Sequence, residues 1–172
     1  MKLISIVTPC YNEAGNVSEL AVRVRKIMEQ ELFRYAYEHI FIDNASTDST
    51  VSELRKLTSS DKRIKVIINS RNFGHMRSPV YGMLQAKGDA VLSIVSDLQD
   101  PPEMIPEFIR EWENGHEVVL AIKKDSEEHG LMFKVRELYY GTLSRLSEIE
   151  IFKNYTGFGL YDKKVMDALR TM

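Results

Sequence analysis

The feature that most constrains this chain is an alternation of two patterns. Short, β-branched apolar runs, too brief to be helices, are separated by segments whose apolar residues recur at helical spacing. Leu3–Thr8 (LISIVT), stopped by Pro9, reads as a strand buried on both faces. From Asn16 onward Val17, Leu20, Ala21, Val24, Ile27 and Met28 recur with a helical period, while Arg23, Arg25, Lys26 and Glu29 fall on the other side. That is a helix packed on a sheet. The pattern repeats as strand His39–Asp43, helix Asp48–Leu57, strand Ile64–Asn69, helix Met76–Ala86, strand Ala90–Val95, helix Asp100–Asn114 and strand Val118–Ile122. The last of these helices is expected to start with Asp100 as N-cap, Pro101 at the first position and Glu103 in a capping box. Such alternation predicts an α/β fold, a mainly parallel central sheet flanked by helices in Rossmann-like fashion. Small residues at Gly74, Ser78, Gly82 and Ala86 share one helix face and permit tight packing on the sheet.

Beyond Lys123 the rhythm breaks. A charged stretch, Lys123–His129, precedes a long helical candidate from Leu131 to Leu146, then a short strand at Phe158–Tyr161 and a last helix, Lys163–Arg170. With no repeat and no Gly/Pro/Ser-rich linker, residues 1–172 are expected to form one domain.

Composition narrows the function. A net charge of −2 supplies no overall positive field, which argues against general nucleic-acid binding. The single cysteine, Cys10, has no partner for a disulfide and no basic n-region opens the chain, so a reducing, cytoplasmic setting is expected. The longest apolar stretches are strand-sized, far short of the roughly 20 residues needed to cross a bilayer.

In open α/β sheets, ligands bind beyond the carboxyl ends of the strands. The unusual residues of this sequence fall there: Pro9–Glu13, Asp43–Asp48, Arg71–His75 and Ser96–Asp100. No GxGxxG follows the first strand and no GxxxxGK[ST] occurs, so neither a dinucleotide fingerprint nor a P-loop is supported. Pro9-Cys10-Tyr11-Asn12-Glu13 offers an aromatic plane and polar edges for a base, and equally reads as a loop and helix cap. Asp43, ending a buried strand, needs a donor, either an N–H on a base edge or the backbone of its own loop. Arg71 is suited to grip a phosphate or carboxylate, with Gly74 allowing close approach, and His75 either meets a diphosphate or caps a turn. Asp97 emerges at the carboxyl edge, where one carboxylate with diphosphate oxygens and waters completes a Mg²⁺ or Mn²⁺ shell. The histidines are too scattered for a zinc site.

Taken in order, SIVTPCYNEAGNV, DNASTDST, SRNFGH and SDLQDPPE resemble the motifs of family 2 glycosyltransferases with a GT-A fold, over about Leu3 to Asp167. The resemblance is strongest to the polyprenyl-phosphate sugar transferases, the group containing dolichol-phosphate mannose synthase and bactoprenol glucosyltransferases. It implies that Pro9, Tyr11, Asn12, Glu13, Asp43 and Arg71 line a nucleotide pocket. It further implies that Asp97 and Gln99 serve metal and diphosphate, with Arg71 and His75 beside them in catalysis.

Three positions depart from the family pattern. Val95 stands for the first Asp of the D-x-D, Asn44-Ala45 for Asp-Gly in a DDGS-like loop, and Gly157 for the Asp of G-D-F. The implied activity is inverting transfer of a sugar from a UDP- or GDP-sugar to a polyprenyl phosphate in cell-envelope glycan synthesis. A phosphate acceptor, already ionised near neutral pH, tolerates the loss of a general base at Gly157. Two other readings remain: a non-catalytic nucleotide-sugar-binding or partner-docking domain, and a transferase acting on a saccharide hydroxyl. Such a lipid acceptor implies contact with a membrane surface, for which the apolar side of Leu131–Leu146 is one means, packing on the domain or on a second copy of the chain being the other. Family members commonly continue into further segments, so the catalytic domain is expected to be incomplete at its C-terminus and to work at the inner face of the cell membrane in the full-length protein.

Overall fold

The computed structural model describes residues 1–122 and 155–172. In chain order these form β1 (Leu3–Cys10), α1 (Val17–Gln30), β2 (Ala36–Asp43), α2 (Thr50–Ser60), β3 (Ile64–Ile68), α3 (Gly74–Gln85), β4 (Ala90–Ser93), a 3₁₀ turn (Pro102–Met104), α4 (Ile105–Glu113), β5 (Val118–Ile122), β6 (Tyr155–Asp162) and α5 (Lys163–Arg170). The chain divides into two compact units, one joining Met1–Val119 to Gly157–Met172 and the other spanning Leu120–Thr156. The expected charged stretch at 123–129 and helix at 131–146 lie outside the described residues.

The sheet runs β3-β2-β1-β4-β6-β5. The pairs β3–β2, β2–β1 and β1–β4 are parallel, and β6 returns antiparallel to β4. The expectation of a mainly parallel sheet flanked by helices holds, with the β6 reversal added.

Period-2 alternation divides the core into two layers. Val7, Ile40, Ile42 and Val91 pack with Met83, Ala86 and Met166 beneath α3 and α5, whereas Cys10, Phe41 and Ile64 pack with Val17, Ala21 and Leu54 beneath α1 and α2. All six apolar residues expected on the inner face of α1 are buried, each worth about 1.5–3 kcal/mol when it is a full aliphatic side chain. Of the small-residue stripe, Ser78, Gly82 and Ala86 are buried, and a Cβ on Gly82 would lie 3.0 Å from Ile42 Cγ2 and 3.1 Å from Val7 Cγ1, whereas one on Gly74 would meet nothing within 4 Å. Glycine therefore lets α3 settle onto the sheet.

Two boundaries differ from the sequence reading for stated reasons. β1 continues through Pro9 to Cys10, because its ladder with β4 ends at Val7–Ser93 and Pro9 has only β2 beside it. The helix expected from Asp100 starts instead at Ile105, after the 3₁₀ turn. Pro101 precedes Pro102 and is held extended, at φ −71° and ψ 121°, as a residue before proline must be. Glu103 pairs with Arg23 on α1.

His39 is buried in β2, hydrogen-bonded to Thr8 Oγ1 at 2.9 Å and stacked on Phe41. Burial pushes its pKa down from 6.5 to about 3, so it stays neutral in the folded chain. Below pH 6.5 the unfolded chain binds a proton that the folded one refuses. Its stabilising contribution is thus complete above pH 6.5 and drains away as pH falls toward about 3, by at most roughly 1.4 kcal/mol per unit. A His39→Gln variant is expected to flatten this slope in urea titrations between those limits, and an unchanged slope would contradict the assignment.

Candidate functional site

The carboxyl ends of β1, β2, β3 and β4 share one edge of the sheet, and hydrogen bonds join their loops in series. The β1 loop is laced to the β2 loop. Asn12 N–H donates to Ser46 Oγ at 2.9 Å, Thr47 N–H donates to Asn12 Oδ1 at 2.8 Å, and Glu13 N–H donates to Thr50 Oγ1 at 2.8 Å. Asp48 accepts from the Thr50 N–H and hydroxyl and, at 3.3 Å, from Ala14 N–H. The β4 loop joins the β1 loop where Ser96 Oγ donates to Pro9 O at 3.1 Å.

Asn44 connects the β2 loop to the β3 loop. Its Oδ1 accepts from Phe73 N–H at 2.9 Å and from Asn69 Nδ2 at 3.2 Å, and its Nδ2 donates to Asn72 Oδ1 at 3.0 Å and to Gly74 O at 3.3 Å. The segment carrying Arg71 and His75 is thus shaped by Asn44, Asn69 and Asn72. Sequence reading missed this role, since an asparagine in a loop looks like any turn residue.

Backbone strain marks the same edge. Among the described residues the non-glycine positions with positive φ are Asn12 at 57°, Ala45 at 64° and Leu98 at 59°, one in each of the β1, β2 and β4 loops. Asparagine tolerates this region, whereas for alanine and leucine it costs roughly 1–2 kcal/mol each. Such strain persists where surrounding structure over-determines it, commonly at functional sites.

The candidate residues differ in how free they are. Tyr11 and Arg71 are exposed, the guanidinium standing 4.8 Å from the Phe73 ring centre. His75 is exposed on the first turn of α3. Asp97 and Gln99 are exposed, and Gln99 N–H donates to Asp97 Oδ1 at 3.1 Å. Pro9 is half-buried in β1. Asn12 and Glu13, by contrast, are largely committed to the protein: the Asn12 carbonyl oxygen holds Thr47, and Glu13 Oε2 accepts from Asn16 Nδ2 at 2.7 Å. Cys10 is buried beneath them, and burial followed by the nearby Asp43, Glu13 and Asp48 carboxylates drives its pKa far up, leaving an inert thiol.

Asp43 has zero exposure. Its Oδ2 accepts from Ser46 N–H at 3.0 Å, but its Oδ1 is buried without a hydrogen bond among the described residues. A carboxylate oxygen left so is costly unless a ligand completes it.

Comparison with known proteins bears on what this edge is for. The sequence profile described as "Glycosyl transferase family 2" matches residues 5–170. The chain belongs to glycosyl transferase family 2. Among curated relatives, the uncharacterized glycosyltransferase YkcC of Bacillus subtilis (strain 168) is 37% identical over 98% of this chain and 52% of its own length. The bactoprenol glucosyl transferase of Shigella phage SfV is 35% identical over 98% of this chain and 55% of its own length. The chain therefore spans about half the length of the curated relatives it matches. The glucosyl-3-phosphoglycerate synthase of Mycobacterium tuberculosis, solved with Mn²⁺, UDP and phosphoglyceric acid, superposes with a TM-score of 0.68 at 20% identity, covering 95% of this chain and 57% of that one. The fold is GT-A.

Two departures from the family 2 pattern prove to be neighbours. A Cβ built on Gly157 would lie 3.7 Å from Val95 Cγ1, so the two missing carboxylates would have shared one locality. Gly157 sits at φ +94°, where an L side chain is strained. The family 2 metal must accordingly be weighed against what remains. Among the described residues no cluster of three or more His, Cys, Asp or Glu could hold an ion. The exposed Asp97 carboxylate and Gln99 amide are hard oxygen donors of the kind Mg²⁺ and Mn²⁺ prefer, and they fit an ion whose other ligands come from a diphosphate and water. Among the described residues no helix is long and apolar enough to cross a membrane.

Proposed function

We infer that this edge binds a nucleoside diphosphate sugar and that the protein transfers the sugar, with inversion, to a polyprenyl phosphate. The observation that carries this reading is the unsatisfied Oδ1 of Asp43, buried at the carboxyl end of β2, whose loop is laced to those after β1 and β3. An N–H on the Watson–Crick edge of uracil or guanine supplies the donor it lacks. Tyr11 offers a ring for the base to stack on, and the Arg71 guanidinium in the β3 loop, with the His75 ring on the first turn of α3, offers N–H donors to the diphosphate. Asp97 with Gln99 would hold a divalent ion, which when bound neutralises charge on the departing diphosphate as a Lewis acid.

In the reaction an acceptor phosphate oxygen forms a bond to the anomeric carbon while the carbon–oxygen bond to the diphosphate breaks. The nucleoside diphosphate leaves with the electron pair, and the acceptor has no proton to lose. Gly157 supports this acceptor, because a site without a carboxylate base there suits a nucleophile that is already ionised. The name of the Shigella phage relative, a bactoprenol glucosyl transferase, points the same way. Work at the inner face of the cell membrane follows from the lipid acceptor.

The test is a thermal-shift panel of UDP-, GDP- and dTDP-sugars with and without Mn²⁺. One nucleotide class should raise the melting temperature in a dose-dependent way, since a ligand held by the folded state alone stabilises it by mass action. Incubation of the full-length protein with that donor and undecaprenyl phosphate should then yield lipid-linked sugar. Binding without transfer would favour a nucleotide-sugar-binding module, and no binding at all would end the proposal.

A further inference from the structure

Residues 62–88 contain no aspartate or glutamate, yet carry Lys62, Arg63, Lys65, Arg71, Arg77 and Lys87, in a chain whose net charge is −2. Arg63 pairs with Asp61 and Glu29, and Lys65 pairs with Glu38. Lys62, Arg71, Arg77 and Lys87 make no ion pair among the described residues.

The same stretch exposes a run of large apolar side chains. Ile68 ends the edge strand β3, Phe73 lies in the loop, and Met76, Val80 and Tyr81 are on α3; Met76 is 67% exposed and Tyr81 50%. Positions 73, 76, 77, 80 and 81 follow helical spacing, so Arg77 stands within the apolar stripe rather than opposite it. The other face of α3, through Ser78, Gly82 and Met83, is buried on the sheet. The outer face is therefore both apolar and cationic, and it begins at Arg71 on the rim described above.

We propose that this face, formed by the end of β3, the Arg71–Phe73 loop and the outer side of α3, rests on an anionic lipid surface. A second copy of the chain is a poor occupant. A two-fold contact would bring the same patch of each copy together, and no acid on that face would answer Arg71 and Arg77. A lipid surface meets both demands, taking Phe73, Met76, Val80 and Tyr81 into the headgroup boundary while its phosphates pair with the arginines. The consequence for the proposed reaction, which the surface argument does not depend on, is that the rim would open at the plane where a lipid phosphate is presented.

The experiment is vesicle flotation with mixed phosphatidylglycerol and phosphatidylethanolamine, against phosphatidylcholine alone, at about 0.05 M and about 0.5 M salt. The chain is expected to float with the anionic vesicles at low salt and to be released at high salt. A Met76→Asp/Arg77→Glu/Val80→Asp variant should bind at least about tenfold more weakly, with unchanged circular dichroism and melting temperature. Wild-type chain that stays at the bottom, or a variant that floats as well as wild type, would overturn the proposal. So would sedimentation showing a dimer that the variant dissolves, because a second copy would then be the occupant. The nucleotide thermal shift on the same samples keeps the two ideas apart: a lost shift with intact flotation would count against the donor site, and the reverse would count against the lipid face.

Discussion

Replacing Asp97 with asparagine is expected to lower kcat for sugar transfer on the order of 10³-fold while leaving the fold intact. The carboxylate is exposed beyond β4, and its visible structural duty is to accept the Gln99 N–H at 3.1 Å. An asparagine carbonyl can accept that bond equally well, so the variant preserves the turn and removes the charge. Charge is what the step requires. As the anomeric carbon–oxygen bond breaks, negative charge grows on the diphosphate, and a divalent ion, if held by Asp97 as proposed, would be worth more in the transition state than in the ground state. The loss should fall on kcat rather than on donor affinity measured without metal. Val95 sharpens the expectation, because no second carboxylate stands two residues back to take over. The Mn²⁺-dependent part of the donor-induced thermal shift should vanish in the same variant. Turnover within a fewfold of wild type would remove Asp97 from the chemistry and leave diphosphate stabilisation to Arg71 and His75.

What the sequence disclosed, and what it hid, follows from the range over which each signal acts. Helix α1 was legible because one amphipathic face encodes its own burial: Val17, Leu20, Ala21, Val24, Ile27 and Met28 are all inside. The four loops were legible because parallel strands must all end at one edge, so motifs placed after strands are automatically neighbours. The antiparallel run of β6 was not legible, since strand direction depends on where the intervening chain returns and not on the strand's own residues. Asp100 misled because N-cap statistics treat one residue at a time, while Pro102 holds Pro101 extended and so delays the first helical turn. Ala45 looked like the simple loss of a family glycine, yet the backbone there adopts φ +64°, a region that favours glycine, so the alanine sits in it at a cost. Asn44 looked like the loss of an aspartate. It instead makes four hydrogen bonds with the β3 loop and α3, two of them through amide donors that a carboxylate lacks.

Asp43→Asn is expected to weaken nucleotide binding by about one to two orders of magnitude while leaving the melting temperature of the ligand-free protein equal to or above that of wild type. The two halves of this expectation come from one atom. In the ligand-free chain Oδ1 is buried and unpaired, so the folded state bears a desolvated carboxylate with half of its acceptors idle. Asparagine keeps an oxygen for the Ser46 N–H, which Asp43 Oδ2 accepts at 3.0 Å, and removes the buried charge. With nucleotide present the balance reverses. The amide nitrogen that replaces Oδ1 is a donor, and it would confront the N–H of the base, leaving two buried donors opposed. A purely structural Asp43 predicts the opposite pair of results, a lower melting temperature with unaltered affinity. Calorimetric binding of the nucleotide selected by the thermal-shift panel, run beside thermal denaturation of the free variant, separates the two outcomes, because a residue that serves the ligand at the expense of the fold must move these quantities in opposite directions.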